Sequence, residues 1–201
     1  MASNLPQGKE YQVRHSGQAI VCGSAPCLLS EYAEAKANMP DAKVFVVNES
    51  SYGIWGDFLV SYHVEKFDEF KAKSLNKDIP TLTGKGYRDD FEESQIDYRF
   101  DNIHIGATSV GDAIQIAKQM GFTEIVIVGA PMNGGDGYYN KTSMVNDGCP
   151  RFGSKEYIDT MESLKVGLNQ KALIEIAKNL PEVKSMSGFS AEVFGKPEWC
   201  K

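Results

Sequence analysis

An α/β fold with a doubly wound, mostly parallel sheet flanked by helices is predicted by three observations. Continuous apolar runs occur at Ala19–Cys22, Val44–Val47 and Ile125–Val128, segments of helical period separate them, and a turn containing Gly or Asn follows each run directly. The first run leads through Gly23-Ser24-Ala25-Pro26 into a helix over Leu28–Ala37, which should stop near Asn38-Met39-Pro40 because proline disfavours helical geometry in the residue before it. With the second run this completes a βαβ unit. Phe58-Leu59-Val60 is a third, short strand candidate, and Glu65–Lys73 places Phe67 and Phe70 on one face of a helix.

From 74 to 102 the apolar periodicity breaks down at Lys77-Asp78, Gly84-Lys85-Gly86 and Arg88-Asp89-Asp90, so this stretch is expected to be a loop-rich insertion. Periodicity returns with Val110, Ile114 and Ala117 on a helix ending at Gly121, and the third apolar run follows. The stretch 133–153 carries Gly134-Gly135, Asp136-Gly137, Asp147-Gly148 and Pro150 and is expected to be a long loop, a candidate lid. Met161, Leu164, Leu168, Ala172 and Ile176 then mark a helix ending before Pro181, and Val183–Met186 is a final strand candidate. The whole chain of 201 residues is expected to form a single domain without internal repeats.

Composition narrows the function classes. Against 27 Asp and Glu stand 21 Lys and Arg, a net charge of −6, so bulk charge attracts neither nucleic acid nor an anionic membrane. No stretch approaches the roughly 18 apolar residues of a membrane span, and the polar Met1–Gly17 does not read as a signal segment; a cytoplasmic protein is expected. Cys22, Cys27, Cys149 and Cys200 lack paired C-x-x-C spacing and are expected as reduced thiols.

In an open α/β sheet, ligands bind beyond the carboxyl ends of the strands, where helix N-termini attract anions. Three turns qualify. At Gly23-Ser24-Ala25, glycine would allow close backbone approach and Ser24 could donate a hydroxyl; Gly and Pro equally make a tight turn for its own sake. The turn has neither the remaining glycines of a dinucleotide fingerprint nor the lysine of a P-loop. At Asn48-Glu49-Ser50-Ser51 a polar cluster could hydrogen-bond a base or ribose, or a serine could cap a helix. At Gly106-Ala107-Thr108-Ser109, Thr108 or Ser109 could likewise serve a ligand or cap the helix, with Asp112 near the helix start.

Taken together, Val21-Cys22-Gly23-Ser24-Ala25-Pro26, Val46-Val47-Asn48 and the block from Thr108-Ser109-Val110-Gly111-Asp112 through Ile125-Val126-Ile127-Val128-Gly129 resemble the bacterial sialyltransferase-like glycosyltransferases and the related 6-hydroxymethylpterin diphosphokinase-like group. The resemblance spans about Ala19 to Gly129. It implies a Rossmann-like domain that binds a nucleotide or nucleotide-activated sugar at Gly23, Ser24, Ala25, Asn48, Glu49, Thr108 and Ser109. It further implies transfer to a small acceptor whose hydroxyl is activated by a histidine base. The sequence departs from the pattern in two places: Ala130-Pro131 follow Gly129 where the family usually has an acidic residue, and no histidine lies beyond His104.

Of the three histidines, His15 is expected at the surface and His104 in an alternating, half-buried strand, which leaves His63 after the third strand candidate as the expected catalytic base. In the lid, Asn133, Tyr138, Tyr139 and Arg151 could close over a sugar or base and pair with phosphate. Asn133, Asp136 and Asp147 offer oxygen ligands, yet Asp-Gly and Asn-Gly turns need no metal, and no metal site is assigned; magnesium is expected only if the reaction is diphosphoryl transfer. The expected function is therefore nucleotide-sugar-dependent glycosyl transfer, with ATP-dependent diphosphoryl transfer or a non-catalytic nucleotide or sugar binding module as alternatives.

Overall fold

The computed structural model describes residues 11–84, 96–101, 103, 108–133 and 170–200. Seven strands form one sheet: β1 (Gln18–Cys22), β2 (Lys43–Val47), β3 (Phe58–Val60), β4 (Thr81–Gly84), β5 (Tyr98–Phe100), β6 (Glu124–Val128) and β7 (Val183–Ser185). Their spatial order is β5-β4-β3-β2-β1-β6-β7, and every pairing is parallel. Helices α1 (Leu28–Asn38), α2 (Phe67–Lys73), α3 (Ser109–Met120), α4 (helical over 170–177) and α5 (Gly188–Phe194) cover its faces. This is a Rossmann-like, doubly wound α/β architecture, with the strand order reversing between β1 and β6.

Beyond a polar first residue, β1, β2 and β6 are apolar because both faces are covered. Alternate side chains go to opposite layers, as a pleated strand requires. Ala19, Val21, Phe45, Val47, Ile125 and Ile127 pack with Val110, Ala113 and Ile114 of α3 and with Leu173 and Ile176 of α4. Ile20, Cys22, Val44, Val46, Val126 and Val128 pack with Leu28 and Ala35 of α1 and with Phe67 and Phe70 of α2. Helix α1 ends at Asn38, two residues before Pro40, as the proline dictates. Helix α3 ends at Gly121, whose φ of +103° is left-handed and whose missing Cβ would stand 2.4 Å from the His15 carbonyl oxygen.

Two expectations need correction. The stretch 74–102 is more than a loop-rich insertion, since β4 and β5 lie within it and form one edge of the sheet. These strands escape an apolar pattern because Thr81 and Thr83 are buried with their hydroxyls bonded: Thr81 Oγ1 donates to Asp97 Oδ2 at 2.9 Å and accepts from Asp97 N at 3.0 Å, and Thr83 Oγ1 donates to Ser61 O at 3.0 Å. His15 is half-buried rather than a surface residue. Its ring stacks on Phe122 at 5.0 Å and its Nε2 is 2.6 Å from Tyr11 Oη; burial, with Lys43 nearby, lowers its pKa. His104 and Cys149 lie outside the described residues, and Cys22, Cys27 and Cys200 are free thiols. Among the described residues no helix is long and apolar enough to cross a membrane.

Candidate functional site

Cys22 of β1 lies level with Val46 of β2 and Val128 of β6, and Val47 lies level with Val60 of β3, so the turns after these strands emerge side by side. Helix α3 joins them at its N-terminus, where Ser109 Oγ accepts the Tyr62 amide at 3.0 Å just beyond β3. The first two turns and the Thr108-Ser109 end of the third therefore share one edge of the sheet, linked by hydrogen bonds through Val47 and through Ser61-Tyr62 beyond β3.

The first turn is built into the sheet. Gly23 N donates to Val128 O at 2.8 Å and Ala25 N donates to Gly129 O at 2.9 Å, so both amides are taken up by the end of β6. Gly23 is glycine because an added Cβ would stand 2.4 Å from Gly129 O and 2.8 Å from Ala130 Cβ; the close approach is to the neighbouring chain segment. Gly129 itself sits at φ +63° and donates its amide to the buried Glu31 carboxylate at 2.7 Å. Half-buried Ser24 reaches across to β2, its Oγ donating to Val47 O at 3.3 Å.

In the second turn a 3₁₀ segment over Asn48–Tyr52 replaces the polar loop. Ser50 is fully buried: Oγ accepts from Val47 N at 2.7 Å and lies 2.9 Å from Cys22 O and 3.0 Å from Val47 O, both acceptors of its proton. Ser50 thus ties the ends of β1 and β2 rather than facing a ligand. Ser50→Ala should lower stability by about 1–3 kcal/mol, because buried backbone groups lose their partner; the midpoint of urea unfolding reads this, and an unchanged midpoint would refute the tie. Asn48 holds a left-handed φ of +52° while its Oδ1 accepts Ser61 Oγ at 2.7 Å. Glu49 beside it is half-buried.

The third turn meets its capping expectation: Thr108 Oγ1 accepts Gly111 N at 3.1 Å. His63, the expected base, is half-buried at the end of β3. Its amide donates to Ser61 Oγ at 2.8 Å, and its Nδ1 lies 3.3 Å from Glu65 Oε1. Ser61 thereby connects Asn48 to His63.

Asn133, expected in the lid, instead fastens the chain after β6 to α5: its Oδ1 accepts Phe189 N at 2.8 Å. Tyr138, Tyr139 and Arg151, with Asp136 and Asp147, lie outside the described residues, as do Gly106 and Ala107. Among the described residues no three His, Cys, Asp or Glu side chains come together as a metal site. No protein-family model matches the chain, and neither a curated protein nor a solved structure does.

One residue of this edge was not selected from the sequence. Asp112, in the first turn of α3, is 1% exposed, and its Oδ1 is buried without a hydrogen-bond partner. With burial as the only cause, its pKa is pushed up to about 7. An acidic residue near a helix start reads as a favourable charge at the helix dipole. The missed signal is spacing: Ser109, Asp112, Ile116 and Met120 follow one another at three and four residues, which puts the carboxyl on the buried stripe of the helix.

Proposed function

We propose that the chain is a cytoplasmic transferase that binds a nucleotide-activated sugar along the carboxyl edge of β1, β2 and β3 and passes the sugar to a small acceptor. The observation that carries this reading is the chain of contacts joining the three turns: Ser24 to Val47, Asn48 to Ser61, and Tyr62 to Ser109. Parallel sheets bind ligands at this edge, near the point where strand order reverses. The resemblance to sialyltransferase-like proteins supplies the donor class. Gly23 and Ala25 shape the floor through the β6 contacts, so donor contacts fall to Ser24, Asn48, Glu49, Thr108 and Ser109. His63 is the base in this reading, standing beside the Asn48–Ser61 pair and within hydrogen-bond reach of Glu65, which would orient its ring.

A thermal-shift panel of CMP, UDP, GDP, ADP, ATP and sugar nucleotides, each with and without magnesium, tests the proposal. A sugar nucleotide at 100 times its dissociation constant should add about 2.7 kcal/mol of apparent stability. His63→Ala should retain that shift and lose turnover. A response to ATP alone, strictly dependent on magnesium, would replace glycosyl transfer by diphosphoryl transfer. Saturable binding without turnover would leave a binding module, and no shift with any compound would refute the site.

A further inference from the structure

We infer that Asp112 is the residue by which this edge recognises its ligand's sugar, accepting hydrogen bonds from vicinal hydroxyls of a ribose or hexose ring; the inference rests on the nucleotide-sugar reading above. Buried polar atoms in folded proteins are almost always paired, and an unpaired one calls for a reason. Capping does not supply it, since Thr108 already caps α3. Neighbouring side chains do not supply it either. Helix α3 packs on β1 to β4, and the residues of these strands in its core cluster, Ala19, Val21, Phe45, Val47, Phe58, Val60 and Leu82, are all apolar.

Position then connects the carboxyl to the candidate site. Asp112 follows Ser109 by three residues and so lies on the same face of α3, one turn in from the hydroxyl that receives the Tyr62 amide. Of the hydroxyls at this corner, Ser61 Oγ gives its proton to Asn48 Oδ1, while Ser109 Oγ accepts from Tyr62 N and keeps its own proton for a ligand. Once ionised, this carboxyl only accepts hydrogen bonds, and donors that reach it favour the ionised form, so its complement brings donors and no negative charge. The hydroxyls of a sugar ring meet both requirements, whereas a phosphate meets neither. Their arrival would also pair the buried Oδ1.

Isothermal titration of the full chain with UDP, CMP and ADP, with their 2′-deoxy counterparts and with UDP-glucose and CMP-sialic acid tests this. Sites built to pair a hydroxyl discriminate strongly against ligands that lack it. The parent should therefore favour either ribo- over deoxyribonucleotides or sugar nucleotides over bare nucleotides, by about tenfold or more, and the arm that responds identifies the ring. Asp112→Ala and Asp112→Asn should erase that preference while unfolding in urea no earlier than the parent. Earlier unfolding of both variants would make Asp112 a structural residue and overturn the inference. A parent that binds these compounds with a preference the variants keep, or with none at all, overturns the inference and leaves the proposed function standing. A parent that binds none of them overturns both.

Discussion

Gly23→Val is expected to destroy the fold rather than probe the pocket. The first atom of any side chain at this position would stand 2.4 Å from Gly129 O and 2.8 Å from Ala130 Cβ, well inside van der Waals contact. Neither neighbour can yield cheaply. Gly129 O accepts the Ala25 amide, Gly129 N is held by Glu31, and a Cβ at Gly129 would itself stand 2.8 Å from Leu28 Cβ. Moving the segment would disturb the β1 to β6 pairing at the centre of the sheet. Overpacking a rigid interior costs about 1–3 kcal/mol and sometimes more, and here two backbone segments must separate. Since a domain's entire stability is about 5–15 kcal/mol, Gly23→Ala should lose a large part of it and Gly23→Val should populate the unfolded state at room temperature. Far-UV circular dichroism with urea titration reads both. A Gly23→Val protein with the parent's midpoint would refute the close approach of the two turns.

Removing the Asp112 carboxyl is expected to act in the opposite direction. In the unfolded chain this group titrates near 3.8, and in the folded chain near 7, because burial disfavours the charge. Well below pH 3.8 the group is protonated in both states and its titration contributes nothing. As pH rises, the unfolded chain releases its proton first, so folding is increasingly penalised until the folded form also ionises near 7, and the loss is then complete. The difference between the two values corresponds to about 4 kcal/mol as a ceiling. Asp112→Ala should therefore match the parent near pH 4 and exceed it at pH 8, by up to about 3 kcal/mol once a lost helix-dipole contribution of about 0.3–1 kcal/mol is allowed for. The observable is the difference between the two urea stability profiles across pH 4–8, which cancels every other titrating group. A difference that stays flat across that range would mean the carboxyl is solvated in the folded protein.

The parts of the fold that could be read from the sequence are those in which one segment declares its own environment. β1, β2 and β6 are covered on both faces, so Ala19–Cys22, Val44–Val47 and Ile125–Val128 are apolar without interruption, and Pro40 and Gly121 mark helix ends through their own backbone geometry. Legibility fails where the deciding partner is distant. Thr81 looks like a loop residue until Asp97 arrives to take its hydroxyl, and His15 looks exposed until Phe58 and Phe122 enclose it. The candidate site divides in the same way. The three turns were recognisable because strand, small residue and helix follow directly in sequence. What each side chain does was not: Asn133 serves α5, Ser50 serves the ends of β1 and β2, and Gly23 serves the neighbouring turn. Asp112 reads from the sequence only as a charge near the helix start, because such a charge and a buried one have the same letter, and only its place on the packed stripe separates them.

The position of β1 has a consequence for how the protein is made. This strand leaves the ribosome first of the seven, yet it belongs in the middle of the sheet, and Glu124, which receives the Gln18 side chain, is 106 residues further along. Throughout synthesis of the intervening segment, β1 can pair with β2 while its other margin stays bare, an apolar strand with open amides and carbonyls. A growing chain in that condition is prone to stick to its neighbours. Stalled or truncated products that stop short of β6 should accumulate in aggregates, and chaperone demand should end when that strand emerges.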